Sequence, residues 1–163
     1  CALAVSGAVY CWGDGGSGAL GYQNTQNIGD NELPVSVGPV KMLAGNDVVA
    51  QVKDGDRHTC VLLVGGDLRC WGSGADGRLG YGDIKSLGNV PGPIAPLVAV
   101  DALPGKVRAV TLGEIHSCAI VEGGAVRCWG GGPDGQLARG NTDSIGDGPG
   151  EMPPKDSLIY DNP

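Results

Sequence analysis

The sequence contains no phenylalanine among its 163 residues, and its aromatic side chains are limited to Trp12, Trp71, Trp129, Tyr10, Tyr22, Tyr81 and Tyr160. A core built from this chain must come mainly from Val, Leu, Ile and Ala. Basic residues are scarce as well: 11 Lys and Arg stand against 18 Asp and Glu, for a formal net charge of −7. A nucleic-acid binder normally carries a basic footprint for phosphate backbones, so this balance argues against nucleic acid as a partner and equally against anionic membrane surfaces. No run reaches the roughly 18 apolar residues of a membrane helix, and the chain opens without the charged, then apolar, layout of an export signal. Membrane insertion is not expected.

What the sequence has in excess is glycine, 31 residues alongside 11 Pro. Without periodicity such a proportion indicates disorder, but here the glycines recur at fixed positions. The six cysteines fall as Cys1/Cys11, Cys60/Cys70 and Cys118/Cys128, always ten apart. Aligned on them, three units share Gly7/Gly66/Gly124, a Cys-Trp-Gly triplet, Gly18/Gly77/Gly135 and Leu20/Leu79/Leu137. Self-similarity at a fixed period is the signature of a repeat architecture. Repeat 1 spans 1–59 with its first strand missing, repeat 2 spans 60–117, and repeat 3, truncated, spans 118–163.

The ten-residue spacing has a geometric meaning. If Cys60 faces Cys70 across an antiparallel pair, the connecting loop has an odd number of residues, most simply Val64-Gly65-Gly66. Such three-residue loops end in a left-handed residue, where glycine carries no Cβ penalty. Opposed residues have Cβ atoms about 4.5–5.5 Å apart, close to disulfide geometry, so one disulfide per hairpin is expected. Zinc favours closer ligand pairs than these, which leaves metal binding and free thiols as weaker alternatives. Disulfides in turn imply an oxidising compartment.

Around each hairpin the pattern is strand-like: 48–52, 57–63 and 67–71 in one unit, 107–112, 116–121 and 125–129 in the next. The apolar run Val61-Leu62-Leu63-Val64 suits a strand buried on both faces. A fourth extended segment is expected around 35–43, 94–100 and 157–160, with prolines that fit an edge strand. Four short strands per unit describe a propeller blade. The expected fold is all-β: three tandem four-stranded propeller-type blades.

The motifs His-Thr/Ser-Cys, Gly-x-[Val/Leu]-Arg-Cys-Trp-Gly and Gly-x-x-Gly-x-Leu-Gly-Tyr resemble the regulator of chromosome condensation repeat, in the cysteine-bearing form found in secreted bacterial proteins. The resemblance covers nearly the whole chain and implies a β-propeller, closed by about seven blades in a complete array. Repeat 3 departs from it with Ala138-Arg139 where the others have Gly21-Tyr22 and Gly80-Tyr81.

Gly13-x-Gly15-x-x-Gly18 matches a dinucleotide pattern, but a phosphate cradle needs a helix behind it, and coil follows in all three units. No cofactor is expected. His58 and His116 are read as structural, bonded to neighbouring backbone, because the adjacent cysteine is a disulfide partner and no orienting acid recurs. Each tryptophan is expected to pack against its disulfide. The acids of the long loops are read as solvated turn residues, although calcium, which takes six to eight oxygens, could sit at Asp14, Asp30 and Glu32. The residues proposed to face a partner are Asp14, Tyr22, Asp30, Asp76, Tyr81, Asp134 and Asp147. The expected role is a secreted or cell-surface protein-binding module and not an enzyme. The alternatives are a subunit of a self-assembling extracellular fibre and a calcium- or carbohydrate-dependent adhesin. The partner would be another protein or other copies of the chain, which is either homo-oligomeric or a fragment of a longer array.

Overall fold

The apolar runs of each repeat form short antiparallel strands in a computed structural model that describes residues 1–41, 43, 46–91, 100 and 103–155. β1 (Ala2–Leu3) pairs with β2 (Val9–Tyr10). A second sheet has the order β3 (Val49–Asp54), β4 (His58–Leu63), β5 (Leu68–Gly72), and a third the order β6 (Val107–Leu112), β7 (His116–Val121), β8 (Val126–Gly130). The sheets therefore run one strand ahead of the cysteine-phased repeats, since β3 precedes Cys60 yet pairs with β4. No helix among the described residues is long and apolar enough to cross a membrane.

The β4–β5 hairpin turns through Val64-Gly65-Gly66. The Gly66 amide donates to Leu63 O at 2.8 Å, and the Leu63 amide to Asp67 O at 2.8 Å. Gly66 has φ +89°, a value that a Cβ would strain. This turn brings Cys60 opposite Cys70 and Thr59 opposite Trp71; in β7 and β8 the same register opposes Cys118 to Cys128 and Ser117 to Trp129. All three expected disulfides are formed, Cys1–Cys11, Cys60–Cys70 and Cys118–Cys128. Each closes a short loop, worth about 2–3 kcal/mol in the chain-entropy account.

The fourth segment differs from the expected strand. In repeat 1, Pro34–Val37 is a single helical turn, α1, because Pro34 sits at the first helical position, where its missing N–H costs nothing. Contact with the sheet narrows to the Val40 amide on Val9 O at 2.8 Å, and in repeat 2 to the Val100 amide on Leu68 O at 2.8 Å. Segments 94–99 and 157–160 lie outside the described residues.

Cores form between sheets, because strand residues alternate faces. All six residues of β4 are buried. Val61 and Leu63 join repeat 1 residues Val9, Cys11, Leu20, Ile28 and Val40 in one core. Cys60 and Leu62 join Val107, Val110 and Ala119 of the third sheet in another. Trp71 does not pack back on its own disulfide as expected; it enters the first core, on the preceding repeat.

The polar side of each seam is equally regular. The Ala19 carbonyl accepts the Thr59 hydroxyl at 2.9 Å and the Trp71 indole N–H at 3.0 Å. One repeat further, the Arg78 carbonyl accepts Ser117 at 2.9 Å and Trp129 at 3.1 Å. His58, 1% exposed, bonds through Nε2 to Ser117 Oγ at 3.0 Å, a side chain of the next repeat and not the backbone expected. Burial of the ring, reinforced by the Arg78 charge, pushes its pKa down to about 4.

This histidine makes stability pH-dependent. The unfolded chain takes up the proton near pH 6.5, the folded chain only near 4. Stability contributed by neutral His58 is complete above pH 6.5 and is lost, by about 3 kcal/mol, as the pH falls toward 4. Urea midpoints measured at pH 7 and pH 4.5 should fall steeply for the wild type and much less for His58→Gln. An equal fall in the two proteins would contradict this account.

Candidate functional site

After each Cys-Trp-Gly triplet the chain leaves the sheet in a glycine-rich loop that returns to its own base. Gly13 pairs with Ile28, Gly72 with Leu87 and Gly130 with Ile145; in the first, reciprocal amide bonds measure 2.8 and 3.1 Å. Inside two of the loops a short 3-10 turn, Gly16–Gly18 and Ala75–Gly77, aims the backbone at the next repeat. A Cβ on Gly18 would lie 2.3 Å from the carbonyl carbon of Gly88, and one on Gly77 would lie 2.1 Å from that of Gly146. The third glycine of the G-x-G-x-x-G pattern thus serves loop-to-loop contact, and the three loops make one continuous face.

Gly135 tests this directly, since it has φ +75° but nothing within 4 Å of its Cβ position. Gly135→Ala should cost only the left-handed backbone penalty, about 1–2 kcal/mol. Gly77→Ala adds a backbone clash and should lower the thermal midpoint several-fold more. Equal losses would contradict the loop contact.

The residues expected to face a partner divide into two groups. Tyr22 and Tyr81 point inward. The Tyr22 hydroxyl accepts the Cys11 amide at 3.3 Å and donates to Gly38 O at 3.0 Å. The Tyr81 hydroxyl accepts the Cys70 amide at 3.0 Å and donates to Cys70 O at 3.1 Å. Burial raises both phenols, that of Tyr81 up to about 12. They brace the disulfide strands and do not form part of the loop surface. Asp14, Asp30, Asp134 and Asp147 are exposed on the loops, and Asp76 is half-buried in an ion pair with Arg78 at 2.7 Å.

Several loop acids are occupied by their own backbone. Asp14 accepts the Gly16 amide at 2.8 Å and Glu32 the Gly29 amide at 3.1 Å. Glu151 takes the Gly146 and Gly148 amides at 3.0 and 2.9 Å, and its hydrogen bond with Asp147 raises the Asp147 carboxyl. The calcium candidates are not brought together: Asp30 and Glu32 line an open depression of about 650 Å³, while Asp14 lines a different cavity. Among the described residues no three His, Cys, Asp or Glu side chains group to hold an ion.

The second cavity, about 170 Å³, sits in the seam between repeats 1 and 2. Its walls include Trp12, Asp14, Ala19, Asp54, Asp56 and His58. Asp54 and Asp56 went unnoticed in the sequence because they belong to the β3–β4 turn, outside the cysteine motif. Comparing Ala19, Arg78 and Gln136, which share one repeat position, would have flagged the cavity. The His58–Ser117 pair has the composition of a base and a hydroxyl nucleophile, but both residues are buried and the serine proton is committed to Arg78 O.

Comparison with known proteins follows the same repeats. The regulator of chromosome condensation (RCC1) repeat matches residues 6–62 and 66–120, and a second form of that repeat matches 49–78 and 107–136. The chain is 32% identical over 144 residues to the E3 ubiquitin-protein ligase HERC2 of Homo sapiens, covering 87% of the chain and 3% of the ligase. It is 32% identical over 134 residues to the ultraviolet-B receptor UVR8 of Arabidopsis thaliana, covering 82% of the chain and 27% of the receptor. Yeast RCC1 (Prp20), solved bound to Kap60, superposes with a TM-score of 0.63 at 23% identity, over 88% of this chain and 33% of that one. The chain therefore spans only a small part of these relatives. Repeat register, three disulfide-bridged units and sheet-to-sheet cores agree with the match, and the chain belongs to the regulator of chromosome condensation repeat family, as a partial β-propeller.

Proposed function

We propose that the chain is a secreted or cell-surface protein-binding module, acting by binding and not by catalysis through the face formed by 13–29, 72–88 and 130–146. The observation that carries this reading is the construction of that face. Each loop is tied at its base by a glycine bridge, and neighbouring loops touch. Loops held on a rigid scaffold are where binding residues concentrate, and preorganisation lowers the entropic cost of docking. Protein binding also fits the neighbours: Prp20 is solved with Kap60, and the Saccharomyces cerevisiae Prp20p structure is reported with its binding to Gsp1p and histones. Three disulfides support an oxidising compartment.

Self-assembly is a second reading. It is favoured by Ile120, 42% exposed on the outer side of β7, and by Trp12, 49% exposed where Trp71 and Trp129 are covered. Such faces attract further sheets.

Immobilised chain should capture a defined protein from the surface fraction of its source cells. The triple variant Asp30→Lys, Asp83→Lys, Asp143→Lys should lose it without a change in thermal midpoint. Capture by the variant at wild-type level would overturn the loop-face reading, and elution of the purified chain as a large assembly in size-exclusion chromatography would favour self-assembly.

A further inference from the structure

We propose that the cavity between repeats 1 and 2 is a seat for an arginine side chain presented by the bound protein. The proposal rests on the protein-binding reading and names the chemistry of the partner.

The chain already shows what fills such a space. Arg78 occupies the repeat position of Ala19, and its side chain, 7% exposed, lies in the second seam. Its guanidinium donates to Asp76 at 2.7 Å and to Glu114 O at 3.4 Å, and its Nε to Ala75 O at 2.9 Å. Glu114 is the repeat counterpart of Asp56, each two residues before its histidine. In the first seam Ala19 leaves the corresponding space open. At about 170 Å³ it is well below the roughly 300–1,000 Å³ of pockets for drug-sized ligands, a scale that suits one side chain.

The walls select a cation with several donors. Asp14, Asp54 and Asp56 all line the cavity, where the second seam has Ser73, Leu112 and Glu114 at the matching positions. A positive group already touches this wall, since the Cys1 α-amine donates to Asp54 at 2.8 Å. That contact leaves Asp14 and Asp56 for an incoming group.

His58 supplies an independent pointer. The single proton of Ser117 Oγ goes to Arg78 O, so His58 Nε2 must donate to Ser117, leaving Nδ1 as a bare acceptor. Nδ1 is buried and has no hydrogen-bond partner. The ring lines the cavity, and its Nδ1–Cε1 edge faces Gly55, also part of the wall. An orphaned buried acceptor among carboxylates favours a planar, multi-donor guanidinium over a point-charged ammonium. The half-exposed Trp12 adds a ring face for the same cation.

The test is an amide and indole NMR titration of the full chain, at low salt, with the blocked tripeptide Ac-Gly-Arg-Gly-NH2. The Trp12 indole and Gly55 amide signals should move. The matching lysine peptide should bind more weakly, and Asp14→Asn with Asp56→Asn should weaken the arginine peptide by about tenfold or more, the worth of a charge-assisted hydrogen bond. Ala19→Arg, which copies Arg78 into the first seam, should abolish the response. Should that variant fail to fold, the exposed aspartate pair carries the comparison. Absence of shifts at millimolar peptide, or shifts unchanged in the aspartate variants or in folded Ala19→Arg, would overturn the seat. If either result accompanies loss of protein capture by the loop-lysine variant, the seat fails and the binding face stands.

Discussion

One backbone carbonyl at each seam holds the array together. Ala19 O and Arg78 O each receive two donors from the next repeat, a hydroxyl from its middle strand and an indole N–H from the strand opposite. Those donors belong to residues paired directly across the hairpin, Thr59 with Trp71 and Ser117 with Trp129. The adjacent rung is the disulfide, whose side chains point to the other face. The covalent bond thus fixes the spacing of two strands on one side, and the carbonyl reads that spacing on the other. Both bonds are buried, so each satisfied group avoids a penalty of about 1–3 kcal/mol for a lost partner.

Much of this architecture follows from period and turn chemistry. The hairpin turns, the cysteine pairing and the two-faced burial of β4 were legible because glycine position and strand alternation are local rules. The outer segment of repeat 1 was not: prolines that suit an edge strand also suit the first turn of a helix, and Pro34 takes the latter course. The destinations of Trp71 and His58 were hidden for a different reason. Both residues act on a neighbouring repeat, so their partners lie 52 and 59 positions away in sequence, beyond any local pattern. Tyr22 and Tyr81 were read as surface residues because they sit within loops, yet each hydroxyl turns back to a cysteine strand.

The repeats also show where a uniform scaffold gives way to individual chemistry. Positions that make the seam, the hydroxyl, the tryptophan and the third loop glycine, recur in each unit that has a neighbour. Positions beside the seam drift: Ala19 and Arg78 share one place, and Asp54 and Leu112 another. Drift of this kind changes charge and cavity volume without touching the backbone that carries the load, which is how a repeat array acquires a particular partner. The acidic loops, tied at their bases, present those differences on one face.

The shared carbonyl is tested most directly by a double-mutant cycle in urea unfolding, with Thr59→Val and Trp71→Phe made singly and together. Each single change leaves Ala19 O one donor and should cost about 1 kcal/mol from the lost hydrogen bond, apart from any packing loss at the tryptophan. The pair should cost more than the sum, by about 1 kcal/mol or more, because the carbonyl is then buried without a partner. Strict additivity, or a double mutant no less stable than the worse single mutant, would contradict a latch built on one acceptor.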